Sequence, residues 1–308
     1  MIKMPGKSHE GPLPPLTEKE RSLQGLLRQY VEKLAGDIGE RNVVQYQNLS
    51  SAADFIDSAL RKTGYDIRRQ TFEVSGRKCQ NIEVELAGQV QKEEIVVIGA
   101  HYDSVIDCPG ANDNATGVAA LLALAQAFAD KSIPKTLRFV AFVNEEPPYF
   151  TTSSMGSLVY AKSCRERGDN IVTMFSLETI GYYVQQKGSQ RYPFPVGLFY
   201  PSTGNFIAFV GNLSSRSLVR ETVASFRRVA KFPSEGGALP GIIPGVGWSD
   251  HWAFWQAGYP ALMVTDTAPF RYPFYHTAQD TPDKIHYEQL ARVVSGLKLV
   301  ITDLTGKR

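Results

Sequence analysis

H-Y-D-S-V-I-D-C-P-G-A-N-D-N-A-T-G, residues 101–117, is the stretch that decides the fold, taken with what flanks it. Before it runs Ile95-Val96-Val97-Ile98, a β-branched apolar run that reads as a buried strand. After it, residues 118–129 are small and apolar with no Gly or Pro, the pattern of a packed helix. A polar loop between such a strand and helix sits at the carboxyl end of the strand, where an open α/β sheet places its chemistry. His101 and Asp103 are two residues apart and so point to one side of the strand end. Imidazole with carboxylate suits a borderline metal such as zinc. Taken singly, these residues have an ordinary explanation, since Asp and Asn in such loops form turns and cap helices.

Outward from this stretch the chain supplies partners. T-L-R-F-V-A-F-V at 136–143 is a second apolar strand and ends in Asn144-Glu145-Glu146-Pro147-Pro148. Two adjacent carboxylates there are costly without a counter-charge. Residues 171–177 form a third strand, ending in Glu178. Segments 65–74 and 79–86, separated by Ser75-Gly76, read as an antiparallel pair. Thr17 and Glu20 form a capping box for a helix to about residue 35, and Ser50 or Ser51 caps a second that Gly64 closes. Further helices are expected at 155–164, 214–230 and 285–304, and short strands at 206–210 and 261–265. Residues 185–205 and 232–250 read as loops; Ser249-Asp250-His251 opens a short aromatic helix, and His276 lies in the aromatic loop 270–282. This alternation predicts one α/β domain with a mixed, mostly parallel central sheet and helices on both faces. A flexible lead (1–17) precedes the domain (18–308).

The composition agrees with a large core: 43% of 308 residues are hydrophobic and 11% aromatic. Lys+Arg 33 against Asp+Glu 31 gives +2, too balanced to point to nucleic acid or an anionic membrane. No segment approaches the length of a membrane span. Without a visible leader the expected compartment is the cytoplasm, the alternative being an exported chain with its leader removed. Cys79, Cys108 and Cys164 show neither a disulfide framework nor metal spacing and are expected to be free thiols.

The strand-end residues are His101, Asp103, Asp113, Glu145, Glu146, Glu178 and His276. Two imidazoles and three carboxylates suffice for two zinc ions about 3.5–4 Å apart with one carboxylate bridging. Of the two carboxylates left over, one can orient a liganding imidazole and the other can take a proton from water.

The motifs G-A-H-Y-D-S (99–104), G-A-N-D-N-A-T-G (110–117), N-E-E-P-P (144–148), S-L-E-T-I-G (176–181), S-D-H (249–251) and Y-H-T-A-Q-D-T-P-D (275–283) resemble, in order, those of the M28 zinc peptidases. That family includes bacterial aminopeptidases and glutaminyl cyclases, and L-A-G-D-I-G-E-R near the N-terminus is similar too. The resemblance implies a zinc-exopeptidase-like fold and two zinc ions per chain. It implies that Asp113 bridges, that Glu146 and His276 complete one zinc site, and that His101 and Glu178 complete the other. Glu145 would be the general base and Asp103 the partner of His101. Tyr275 matches a phenol that stabilises an oxyanion, and Asp250 a carboxylate near the substrate. Glu178 departs from the family, which usually has Asp there. The implied reaction is hydrolysis of an N-terminal peptide bond through a metal-activated water, on a peptide or small N-terminal-amine substrate. The loops at 182–206 and 248–275 would line the substrate pocket. A one-zinc glutaminyl cyclase, a non-catalytic binding domain on the same fold and a carboxypeptidase are the alternatives. Oligomeric state is not legible in the sequence.

Overall fold

The structure, a computed structural model, describes residues 3–306. Eight strands, β1 (Arg68–Val74), β2 (Arg77–Leu86), β3 (Gln91–His101), β4 (Lys135–Phe142), β5 (Asn170–Glu178), β6 (Ile207–Gly211), β7 (Ser234–Ala238) and β8 (Ala261–Thr265), form one sheet in the order β1-β2-β4-β3-β5-β8-β6-β7. The central run β4-β3-β5-β8 is parallel, as is β6-β7; β1-β2, β2-β4 and β6-β8 are antiparallel.

The apolar runs of the central strands are covered on both faces, as parallel strands require. From β3, Val96 and Ile98 enter a large core shared with the helices α1 (Glu18–Val31), α2 (Tyr46–Arg61), α3 (Thr116–Phe128), α5 (Arg216–Val229) and α8 (Tyr287–Gly306). Ile95 and Val97 point the other way into a smaller core under α4 (Gly156–Arg167) and α6 (His251–Gln256). The doubly wound α/β architecture expected from the alternation is the one observed. Its parallel strands all end on one edge, and that edge carries the candidate site.

Several boundaries differ from expectation. The first helix continues as a π-helical turn to Ile38, and Gly39 ends it. The second starts at Tyr46 rather than at Ser50 or Ser51. Its entry is fixed by Asn42, whose side-chain oxygen accepts from the Val44 and Gln45 amides at 3.0 Å each. Within the expected loop 232–250, Ser234–Ala238 pairs with β6 as the sheet edge. A short helix α7 (Ala268–Arg271) also precedes the His276 loop. All three cysteines are buried and free, as expected.

Residues 3–14 lie against the domain. Met4 packs into the core, Arg220 and Arg227 donate to the carbonyls of Lys3, Pro5 and Gly6, and Arg292 donates to that of Pro14. No helix among the described residues is long and apolar enough to cross a membrane.

Candidate metal centre

The end of β3 presents His101, fully buried. The chain then turns through residues 102–112 and enters α3 with Asp113 facing back across the strand ends. Gly110 makes this possible: its φ is +63°, and a Cβ there would stand 2.3 Å from the Asp113 carbonyl oxygen. Gly117, one turn on, lies so close to β5 that a Cβ would meet the Leu177 carbonyl at 2.3 Å. Beyond β4 and β5, Asn144 (φ +60°) and Thr179 (φ +46°) adopt left-handed backbone beside Glu145 and Glu178, and His276 itself has φ +55°. Such strained positions outside glycine gather where the surrounding structure enforces a geometry.

These turns bring the expected residues into two overlapping sets. His101 Nε2 lies 3.2 Å from Asp113 Oδ1 and 3.2 Å from Glu178 Oε2. His276 Nε2 lies 3.1 Å from Asp113 Oδ2 and 3.2 Å from Glu146 Oε2. Asp113 thus offers one oxygen to each set. Glu145 stands beside them, its Oε2 3.8 Å from His101 Nε2.

These approaches are not hydrogen bonds. Both ring nitrogens of His101, His276 Nε2, Asp113 Oδ1 and Glu146 Oε1 are buried without a hydrogen-bond partner. Buried polar atoms are rarely left so, and unpaired nitrogen and carboxylate donors converging at about 3 Å fit a pair of divalent cations of the zinc type. Burial and the neighbouring carboxylates push Glu145 well above the usual carboxylate range. Burial, reinforced by Asp113, pushes Glu146 and Glu178 to about 7 each. Asp113 goes the other way: burial opposes its charge, but the two imidazoles hold its pKa low. A bound cation reverses the cost of gathering these carboxylates.

Asp103 departs from the expected pairing. Its Oδ1 is 3.6 Å from His101 Nδ1, too long for a hydrogen bond. Its oxygens instead accept from the Glu145 and Glu146 amides at 3.2 and 3.0 Å, fixing the acidic turn. The Tyr275 ring stacks on His276 with centroids 3.8 Å apart. Burial and the surrounding carboxylates raise the Tyr275 pKa, so the phenol keeps its proton. Asp250 is fully buried at the start of α6, with neither carboxylate oxygen hydrogen-bonded, and burial pushes its pKa to about 7.

Three supports have no assigned role in the sequence reading. Asp280 accepts from the Asn112 and Asp113 amides at 2.8 and 3.0 Å and receives the Tyr272 hydroxyl at 2.7 Å. Arg41, fully buried, donates to the Tyr102 carbonyl at 2.7 Å and the Gly110 carbonyl at 2.8 Å, and also to that of Pro109. Ser249 donates to Glu178 Oε2 at 2.7 Å and is itself 2.7 Å from the Ser176 hydroxyl. All three lie inside segments with a recognisable family pattern, which is the signal that could have found them.

Next to Glu178 and Tyr275 opens a pocket of about 800 Å³ including its mouth. The two expected loops line it, Tyr192 and Tyr200 from one and Trp248 and Phe270 from the other.

The model of peptidase family M28 matches residues 81–300. The protein YfbL of Escherichia coli is 36% identical over 281 residues, covering 88% of this chain and 85% of its own. The chain belongs to peptidase family M28. Among solved structures, the zinc aminopeptidase BSAP of Bacillus subtilis superposes with a TM-score of 0.73 at 17% identity, over 92% of this chain and 95% of that one. The glutaminyl cyclase of Fimbriiglobus ruber superposes at 0.66 with 22% identity, over 96% and 97%. At these identities the two structures establish the shared fold. Membership of M28 makes this chain one of the zinc metallopeptidases, with peptides as the implied substrate class.

Proposed function

We propose that this M28 peptidase is a two-zinc aminopeptidase that hydrolyses the first peptide bond of its substrate. The observation that carries the reading is Asp113, whose two oxygens each meet a different imidazole, with Glu178 completing one set and Glu146 the other. Bound zinc would supply Lewis acidity at the scissile carbonyl and bring the pKa of water down from 15.7 towards about 7. Glu145, held by the Asp103 anchor on its backbone amide, takes the proton of the attacking water and returns it to the leaving amine. Its high pKa without metal follows from burial among carboxylates, the environment that suits a proton shuttle. The protonated Tyr275 phenol donates to the oxygen that gains charge in the transition state. Asp250, buried with both oxygens unpaired and within electrostatic reach of His101, is the carboxylate this reading sets near the substrate.

One observation favours a second reading. Glu178 Oε2, the oxygen nearest His101, is also the one held by Ser249 at 2.7 Å. Were that oxygen kept by Ser249 rather than given to a metal, only the site at His276 would fill, as a one-zinc enzyme that cyclises N-terminal glutamine requires. The test is turnover of a panel of aminoacyl-p-nitroanilides and of glutaminyl peptides by protein of known zinc content. Two zinc per chain with chelator-sensitive nitroaniline release supports the aminopeptidase. One zinc with cyclisation and no release supports the alternative, and absence of zinc overturns both.

A further inference from the structure

We infer that the pocket beside the metal centre selects a long side chain ending in a cation, an N-terminal arginine or lysine, and that Glu235 selects it. The inference deepens the aminopeptidase reading and rests on it for the identity of the substrate, but its geometry comes from the sheet alone.

Residues in register on neighbouring strands point to the same face. Glu178 pairs with Thr265, Thr265 with Ala208, and Ala208 with Glu235, so these four form one row across β5, β8, β6 and β7. Three inter-strand steps of about 4.8 Å separate its ends by roughly 14 Å. The next row on this face is Ser176, Met263, Val210 and Gly237. Thr265, Ala208, Met263, Val210 and Gly237 all line the pocket. The pocket is therefore a trough with a small or apolar floor, closed by a candidate metal ligand at one end and by Glu235 at the other.

Its wall is aromatic. Tyr192 and Tyr200 stack with centroids 5.8 Å apart at 27°. Tyr200 fits because residue 237 is glycine: a Cβ there would stand 2.8 Å from its hydroxyl oxygen. The Tyr200 hydroxyl donates to the Gly236 carbonyl at 2.9 Å, and that of Tyr192 to the Pro201 carbonyl at 2.8 Å, so neither is spent on Glu235. Flat rings suit a methylene stem and attract a guanidinium or ammonium.

The Glu235 side chain accepts no hydrogen bond among the described residues; its nearest cation is Arg227, Nη2 to Oε2 3.5 Å. Arg227 reaches it from α5 on the opposite face, round the free edge of β7. Four of the five N–H groups of Arg227 are committed, to the Ser234 carbonyl at 2.7 Å, the Ser234 hydroxyl at 3.3 Å, and the Pro5 and Gly6 carbonyls at 3.2 Å each, which leaves one on Nη2 to face Glu235. The carboxylate is thus half-buried with one long contact to a cation and room for further donors, and burial raises its pKa against the pull of Arg227. A ligand that brings N–H donors completes it, whereas an apolar side chain of equal length only desolvates it.

The test uses the zinc-loaded full chain with argininyl-, lysyl-, leucyl- and norleucyl-p-nitroanilides, in wild type and Glu235→Gln. Binding of argininamide and norleucinamide to Glu145→Gln, with and without Glu235→Gln, is measured by calorimetry. The expected wild-type preference for arginine over norleucine is about 10- to 100-fold in kcat/KM and in affinity, falling to within about 3-fold in Glu235→Gln. A zinc content and thermal midpoint equal to those of the wild type report that the variant is folded. A wild-type ratio near one, or a ratio that Glu235→Gln leaves unchanged, overturns the assignment and means that Arg227 already neutralises Glu235. If no nitroanilide is cleaved but argininamide binds in a Glu235-dependent way, the aminopeptidase reading fails while the pocket assignment stands.

Discussion

Asp113 reaches both imidazoles only because several side chains hold its backbone and the loop before it. Asp280 takes two consecutive amides at residues 112 and 113, and Arg41 ties down the carbonyls of Tyr102, Pro109 and Gly110. Replacing Arg41 with Met leaves several buried carbonyls unpaired at about 1–3 kcal/mol each, so a sharp drop in denaturation midpoint and weakened zinc binding are expected. Unchanged stability and zinc affinity would show that the clamp is idle. Glu145→Gln is isosteric and touches no proposed metal contact. It should retain the zinc content of wild type and lose about 10²–10⁴-fold in kcat. Zinc loss in that variant, read by elemental analysis, would make Glu145 a ligand rather than a base. The proposed ligands were legible because each ends or follows an apolar strand, and strand ends in a parallel sheet share an edge. Arg41 was not, because three of its carbonyl partners lie more than sixty residues away, and only the family pattern around it sets it apart from a surface arginine.

Among the elements, β7 shows what periodicity misses. S-E-G-G-A has no β-branched residue, and half of its alternating pattern is glycine, so it reads as loop. It becomes a strand because β6 offers an unpaired edge, and its glycines admit Tyr200 on one face and Val223 with Met4 on the other. Helix α6 was legible in position, but its role in the site was not. Ser249, just before it, holds Glu178, and Ser249→Ala should lower the affinity for one zinc about 10-fold and leave the other intact. A competitive zinc titration with two unaltered constants would refute that coupling. His251 opens the same helix fully buried, and burial pushes its pKa down to about 4 from the usual 6.5. In the folded state it stays neutral where the unfolded chain takes up a proton. Its contribution is therefore present above about pH 6.5 and is lost as pH falls towards 4, by about 3 kcal/mol. Glutamine at 251 has no such titration. The stability difference between wild type and His251→Gln should shrink over that interval, and a difference independent of pH would contradict the assignment.

At the scale of the whole molecule, the metal centre and the pocket are one structure seen from two sides. Glu178 and Tyr275 belong to both, so side-chain recognition at Glu235 is transmitted along a single sheet rather than across domains. The lead joins this construction from behind: Met4 covers Gly236, and Arg227 is held by Pro5 and Gly6. Deleting residues 1–9 should lower the thermal midpoint by a few degrees, since about 1 kcal/mol moves a domain of this size by roughly 2–4 °C. It should also free Arg227 to pair fully with Glu235, weakening the preference for basic substrates; an unchanged melting curve and substrate profile would leave the lead without a role. Metal couples to stability by mass action. At 100 to 1,000 times its dissociation constant, zinc should add about 2.7–4.1 kcal/mol to the folded state. Dialysis against a chelator should therefore lower the midpoint, and zinc should restore it.

The central claim is that two zinc ions share Asp113, and anomalous diffraction at the zinc edge tests it most directly. Two peaks about 3.5–4 Å apart are expected, one between His101, Asp113 and Glu178 and the other between Asp113, Glu146 and His276. A single peak at the His276 side, with Glu178 bound only to Ser249, would contradict the two-metal aminopeptidase and leave the one-zinc chemistry in its place.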